Sequence, residues 1–415
     1  MSKQKQLTQG QHGHTLHHNA VLSKDGQWMV FDYRNDETHI AKTGTIAVLN
    51  LLDGKEYPIY QTLNQLEYGP GVGAASFNPH TNQVVFIHGL CDADKETPYD
   101  ITRRTAVMVD MDKNNEASYL DSRDIVAPYV PGSLRGGTHS HMWSPDGRML
   151  SFTYNDALID PQLRTVGVML PADTAEKVGD EAGNVQGFFY AAIVSHVVNK
   201  PRWGSDDINR AFDECWVINP AGSKNAFSIA FQGNTINENG HLITEVFIVD
   251  IDCENILNDR QAVGELGERP KVPQGTLQKR LTYTEHGLSD LRHWLRASPD
   301  GQYIYALAKD RHQQNQLVRI SVSRGEMKYI SAFPFSISSP INLDSKGEYV
   351  CFIANNQVYR YRMADADLQQ LTNNRLNASP IVGAPHFDRH NKNVYYNQMV
   401  RCNEGEFIQI MSTSI

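Results

Sequence analysis

The sequence predicts an all-β, seven-bladed β-propeller with WD40-like repeats, closed by its own N-terminal strand. Three observations point there. A turn of the SPDG kind recurs seven times, each copy between short apolar segments; outer strands end in a Leu-Thr pair; and the two chain ends supply complementary parts of one repeat.

The turns come first. They read AVLSKDGQWMVFDY from Ala20, ASFNPHTNQVVFIHG from Ala75, HMWSPDGRMLSFTYND from His141 and WVINPAGSKNAFSIAFQG from Trp216. The remaining copies are LRASPDGQYIYALAKD from Leu295, INLDSKGEYVCFIANN from Ile341 and PHFDRHNKNVYYNQ from Pro385. Each is a strand, a turn built from Pro, Asp, Asn and Gly, and a second, buried strand. Third strands follow, such as TAVMVDMD, EVFIVDID and QLVRISVSRG. Outer strands then close on Leu281-Thr282 and Leu371-Thr372.

The last copy supplies a third strand, EFIQIMSTSI, and no fourth, while KQLTQG with Leu7-Thr8 stands alone at the start. Residues 1–10 are therefore expected to complete the last blade and remove an exposed strand edge, which makes 1–415 a single propeller domain. Two long connections, 157–213 and 234–290, are expected to pass over one face of the ring, with residues 203–210 covering a mouth of the channel. A short helix is expected at SDDINRAFDE, with Ser205 as its N-cap.

Composition narrows the function. The 415 residues are 40% hydrophobic and 20% charged, ordinary for a soluble globular protein. A formal net charge of −9 argues against a nucleic-acid groove. The N-terminal segment has no apolar core of a signal peptide, no run is long enough to span a bilayer, and the five scattered cysteines form no pairing pattern. These features predict a cytoplasmic protein with free thiols and no membrane association. No GxSxG, Walker or GxGxxG element is present.

Propeller channels are lined by the innermost strand of every blade, so one repeat position faces one axis. Counting eight residues back from the turn position gives His18, Gly73, His139, Glu214, His293, Ser339 and Gly383. His139, Glu214 and His293 come from neighbouring copies, and with His18 they form an expected divalent-metal set: manganese first, zinc or iron as alternatives. Two residues on, His141 and Trp216 occupy the next inward position. Trp216 and Arg210 are assigned to substrate. Arg135 and Arg292, each shortly before a histidine of this set, are suited to grip a carboxylate.

The SPDG hairpins with Leu-Thr outer strands resemble TolB-like propeller repeats. The stretches PGSLRGGTHSHMWSPDGRMLSFTYND, GSDDINRAFDECWV and LRHWLRASPDG resemble the uncharacterised bacterial YidR family over nearly the whole chain. That resemblance implies a propeller and no established activity. His139-Ser140-His141 before an SPDG turn is more distantly similar to the oligogalacturonate lyases, cytoplasmic propellers that hold a divalent metal through histidines and a glutamine. Their glutamine falls where this chain has Gly136, and their histidine pair falls later in the chain. This similarity implies β-elimination on an acidic saccharide, with His141 as base and Arg135 or Arg292 on the substrate carboxylate. A non-catalytic TolB-like propeller that binds a small ligand or a protein partner is the alternative.

Overall fold

A computed structural model describes residues 4–172, 177–375 and 377–415. The apolar-turn-apolar repeats fold into seven radially arranged antiparallel blades. Blade 1 holds Trp28–Asp32, Thr45–Asn50 and Glu56–Gln61, with an irregular inner segment bridged at Thr15 to Asp32 and Leu22 to Met29. Blades 2 to 6 are four-stranded, beginning at Val72–Phe77, Gly137–Trp143, Arg210–Ile218, Arg296–Ala297 and Asn342–Leu343. Blade 7 runs Ile381–Phe387, Asn393–Cys402 and Gly405–Ser414, and its fourth strand is Gln4–Gln6. That strand pairs antiparallel with the C-terminal one, Gln4 opposite Thr413 and Gln6 opposite Met411. The ring is closed as the chain ends predict.

Alternation within a strand explains why every blade is apolar on both faces. In blade 4, Ile229 and Phe231 pack toward blade 3 against Met142 and Trp216, while Ala230 between them packs toward blade 5 with Leu295 and Ile304. The hydrophobic core is thus a set of seams between blades, not a single centre.

The recurrent motifs have local causes. In the SPDG turn of blade 3, the Ser144 hydroxyl donates to Asp146 at 2.5 Å and accepts from the Met149 N–H at 3.0 Å, while Gly147 takes φ of 69°. The Leu-Thr pair places an apolar side chain in a seam and an oxygen where the ladder lacks a partner. Thr8 accepts the Ile410 N–H, Thr282 that of Val246 and Thr372 that of Val358, each at 2.9 Å. Asp121, Ser195 and Ser331 do the same for Ala106, Val166 and Leu317. Six blades share this device.

Three expectations need correction. Residues 205–214 form no helix, because Arg210–Ile218 is the innermost strand of blade 4. The β-branched and aromatic residues that follow override the N-cap signal of Ser205. The segment before that strand does not cover the channel mouth. His196 and Asp206 hydrogen-bond Gln278 and Arg280 on the outermost strand of blade 4, and Trp203 is exposed. The long connections also carry blade strands, including Arg164–Pro171, Phe189–Ile193, Leu242–Asp250 and Gln278–Arg280, together with the short helix Cys253–Asn258. All five cysteines are free. No helix among the described residues is long and apolar enough to cross a membrane.

Candidate functional site

The inner strands are not straight. In five of the seven blades the inner segment carries one left-handed residue: Ala20, Ala74, Ser140, Asp213 and Gly383, with φ between 50° and 70°. In blades 2, 3, 4 and 7 the pairing register slips at that residue, which is a β-bulge that re-aims the following side chains. The bulge does not keep step with the turn. Ser140 lies seven residues before Gly147, whereas Asp213 lies nine before Gly222 and Ala20 six before Gly26. Aligned on the bulge, Glu214 is the counterpart of His141 and not of His139.

This displacement separates the expected metal set. His139 lines the central cavity, its Nε2 2.8 Å from the Thr153 hydroxyl and its Nδ1 unpartnered. Glu214 turns into the seam between blades 3 and 4, where Oε1 accepts from Ser151 at 3.2 Å. Burial pushes its carboxyl up to about 8, so it is protonated at neutral pH. His293 is consumed by its own blade: Nδ1 donates to the Leu291 carbonyl at 2.6 Å and Nε2 accepts the Leu307 N–H at 3.0 Å. The three do not converge. His18 stacks face-to-face on Trp294 at 3.6 Å, and its Nδ1 faces Arg296 at 3.1 Å.

Three further assignments change. Arg135 is fully buried away from the cavity, donating to the carbonyls of Val263 and Glu268 at 2.7 and 2.8 Å and covering Tyr129. It fastens the 251–277 excursion to blade 3. Trp216 fills the seam toward blade 3 and donates to the Met142 carbonyl at 2.9 Å. His141 is buried beneath the cavity wall, its Nε2 3.0 Å from the Thr138 hydroxyl, and burial pushes it down to about 3.

The structure instead gathers arginines. A cavity of about 720 Å³ is lined by all seven blades and receives Arg34, Arg104, Arg164, Arg210 and Arg292. Arg34 is tied to Asp32 by two hydrogen bonds of 2.6 and 2.9 Å. The other four come from blades 2 to 5, and among the described residues none has a carboxylate within 4.0 Å. Arg104 Nη1 donates to the Tyr99 hydroxyl at 3.1 Å, and Arg164 Nε to Asn155 at 3.2 Å. Arg292 lies over Trp294 at 4.5 Å and Arg210 near the Phe212 ring at 5.7 Å. Burial, and then repulsion from Arg210, Arg104 and Arg292, pushes Arg164 down to about 9. Buried Asp213 offsets part of this repulsion, and a bound anion would offset more. His17 and His139 line the same cavity, each with an unpartnered Nδ1, and burial holds both well below the usual histidine range.

Arg34, Arg104 and Arg164 were not singled out by the repeat register. A signal existed: Arg104-Thr105 and Arg164-Thr165 both open third strands, so the repeat places them at equivalent points above the axis.

Against known proteins, residues 71–181 match a family described as "Protein of unknown function (DUF3748)". The chain is 34% identical over 389 residues to the uncharacterised protein YidR of Escherichia coli (strain K12), covering 90% of both. The chain belongs to the YidR family. Among solved structures it is similar to an oligogalacturonate lyase in complex with manganese, with a TM-score of 0.61, 10% identity and coverage of 100% of this chain and 93% of that one. An oligogalacturonate lyase from Vibrio parahaemolyticus gives 0.59, 11% identity, and coverage of 100% and 94%. These likenesses show that this chain shares the propeller fold of those lyases. One solved neighbour holds manganese, and among the described residues of this chain one His/Glu group could hold a metal, His12, His14 and Glu56, which lies outside the cavity.

Proposed function

We propose that the central cavity binds an acidic saccharide and that the protein acts on it by β-elimination. The carrying observation is the set of four arginines, none with a carboxylate within 4.0 Å among the described residues, directed into one cavity of a chain whose net charge is −9. A uronate oligomer supplies carboxylates spaced along a chain, which suits guanidinium donors arriving from successive blades. The walls supply aliphatic side chains, among them Ile40, Ile87, Ile101 and Ile353, for sugar faces.

A divalent metal in the channel, manganese in the related fold, would supply Lewis-acid stabilisation of the enediolate. The residues first expected to hold it do not fit, since His293 has no free nitrogen and Glu214 is a neutral acid in a seam. The chemistry is therefore derived from the chain's own groups. A guanidinium pair, Arg164 with Arg292, neutralises the carboxylate and acidifies the adjacent C5–H. His139, neutral and lining the cavity, takes the C5 proton once its unpartnered Nδ1 turns toward the substrate; the C5–H bonding pair forms the C4–C5 double bond as the C4–O bond breaks. The departing oxygen takes a proton from water, and the hydroxide so formed takes the proton from the His139 imidazolium. The likeness to oligogalacturonate lyases in fold supports this reading alongside the arginine geometry.

The test is turnover of a galacturonate trimer, followed by ultraviolet absorbance of the unsaturated product and by its mass. His139→Ala should lower the rate about 10²–10⁴-fold while leaving affinity nearly unchanged. Binding with no product from the wild-type protein would replace the lyase reading with a binding module.

A further inference from the structure

We propose that His12, His14 and Glu56 form a divalent transition-metal site that clamps the seam where the propeller ring closes. The three residues converge from two sides of that seam. His12 and His14 lie on the segment running from the closing strand into blade 1, and Glu56 opens the outer strand of blade 1. The His14 N–H donates to the Ile408 carbonyl of blade 7 at 2.9 Å, and the next residue, Thr15, donates to Asp32 of blade 1 at 2.9 Å.

One ligand atom from each of the three lies within 4.8 Å of the other two. His14 Nε2 is 3.1 Å from Glu56 Oε1, and His12 Nε2 is 3.7 Å from Oε2. His12 Nε2 is buried and has no hydrogen-bond partner. His14 is fully buried and stands between two acceptors, the Glu56 carboxylate on Nε2 and the Ile408 carbonyl 3.3 Å from Nδ1. A neutral imidazole carries one N–H and can satisfy only one of them. The other face needs a second proton or a cation. With Nδ1–H on the carbonyl, Nε2 presents its lone pair beside the carboxylate, as a histidine held by an outer hydrogen bond presents itself to a metal.

Orientation is fixed on every side. His12 stacks between Tyr33 at 3.8 Å and His14 at 4.4 Å. Gly13 makes the close approach possible, because a Cβ there would fall 1.7 Å from the Arg34 carbonyl oxygen. The edge of His12 is partly exposed and gives an ion a path in. Two imidazoles and one carboxylate suit zinc and its neighbours, with a coordination position left for water. None of the three residues lines the arginine cavity, so this site is independent of the proposed saccharide chemistry.

The experiment uses the full, tag-free chain, stripped with chelator and titrated calorimetrically with Zn²⁺. One equivalent should bind, and the melting temperature should rise with free Zn²⁺. Glu56→Gln and His12→Asn should each lose the binding and the shift. Because a variant at the seam can fail to fold, Co²⁺ is also added to the wild-type protein, where visible bands of a nitrogen- and oxygen-ligated ion are expected. Absence of stoichiometric Zn²⁺ binding, or binding undiminished in both variants, overturns the proposal. So does a nitrogen NMR signature of a doubly protonated His14 in the presence of saturating Zn²⁺, which would assign the contact to an imidazolium–carboxylate pair.

Discussion

Glu214 shows how two residues of offset change a function. Counted from the turn it stands beside two histidines as a ligand; placed by the bulge at Asp213 it enters an apolar seam and keeps its proton. The consequence for stability has a definite sign. An unfolded glutamate releases its proton near pH 4.5, whereas the folded one holds it to about 8. Between those values the unfolded state binds fewer protons, so stability falls as pH rises, at up to about 1.4 kcal/mol per pH unit from this group. Glu214→Gln mimics the protonated form. Its melting temperature should match the wild type near pH 4.5 and exceed it progressively up to pH 8, with a constant gap above. Paired thermal melts across that range check this, and a gap that does not change with pH would remove the buried-acid assignment.

At the scale of the element, the motif that identified the repeat also holds it. The hydroxyl of Thr372 accepts the Val358 N–H and donates to Gln357 at 2.8 Å, both inside the blade. Thr372→Val keeps the shape and leaves a buried N–H unpaired, so denaturant titration should show a loss of about 1–3 kcal/mol. An unchanged midpoint would mean water replaces the hydroxyl. The same motif shows what was legible. Strand–turn–strand periodicity and the Leu-Thr endings are local, so seven hairpins could be read directly from the residues. The bulges follow no single residue type: only blade 7 uses a glycine, Gly383, and Ala74, Ser140 and Asp213 take the left-handed conformation without being glycine or asparagine. Tertiary packing imposes it, and the inward face therefore could not be counted from the turns. The Ser205 cap signal failed for a related reason, since strand pairing to Phe227–Ile236 outweighs local helix preference.

For the whole molecule, closure and cavity are one arrangement. Seven seams of side chains hold the blades, and Gln4–Gln6 supplies the last ladder. Deleting residues 1–10 should expose the edge of Gly405–Ser414 and give a lower melting temperature or aggregation; an unaltered melt would contradict closure by this strand. A closed ring directs the ends of seven inner strands at one axis, and it is there that the arginines collect. The sequence carries a net negative charge, and the cationic centre became visible only when Arg104, Arg164, Arg210 and Arg292 from four blades were seen around one cavity. The measurement that tests this most directly is calorimetric titration of the full chain with a galacturonate trimer and with a neutral hexose trimer of equal length. The account predicts saturable binding of the acidic oligomer that weakens with added salt and no binding of the neutral one. Arg164→Ala and Arg292→Ala should each reduce affinity at least tenfold, about 1.4 kcal/mol. Equal affinity for the two oligomers, or acidic binding untouched by both substitutions, would contradict it.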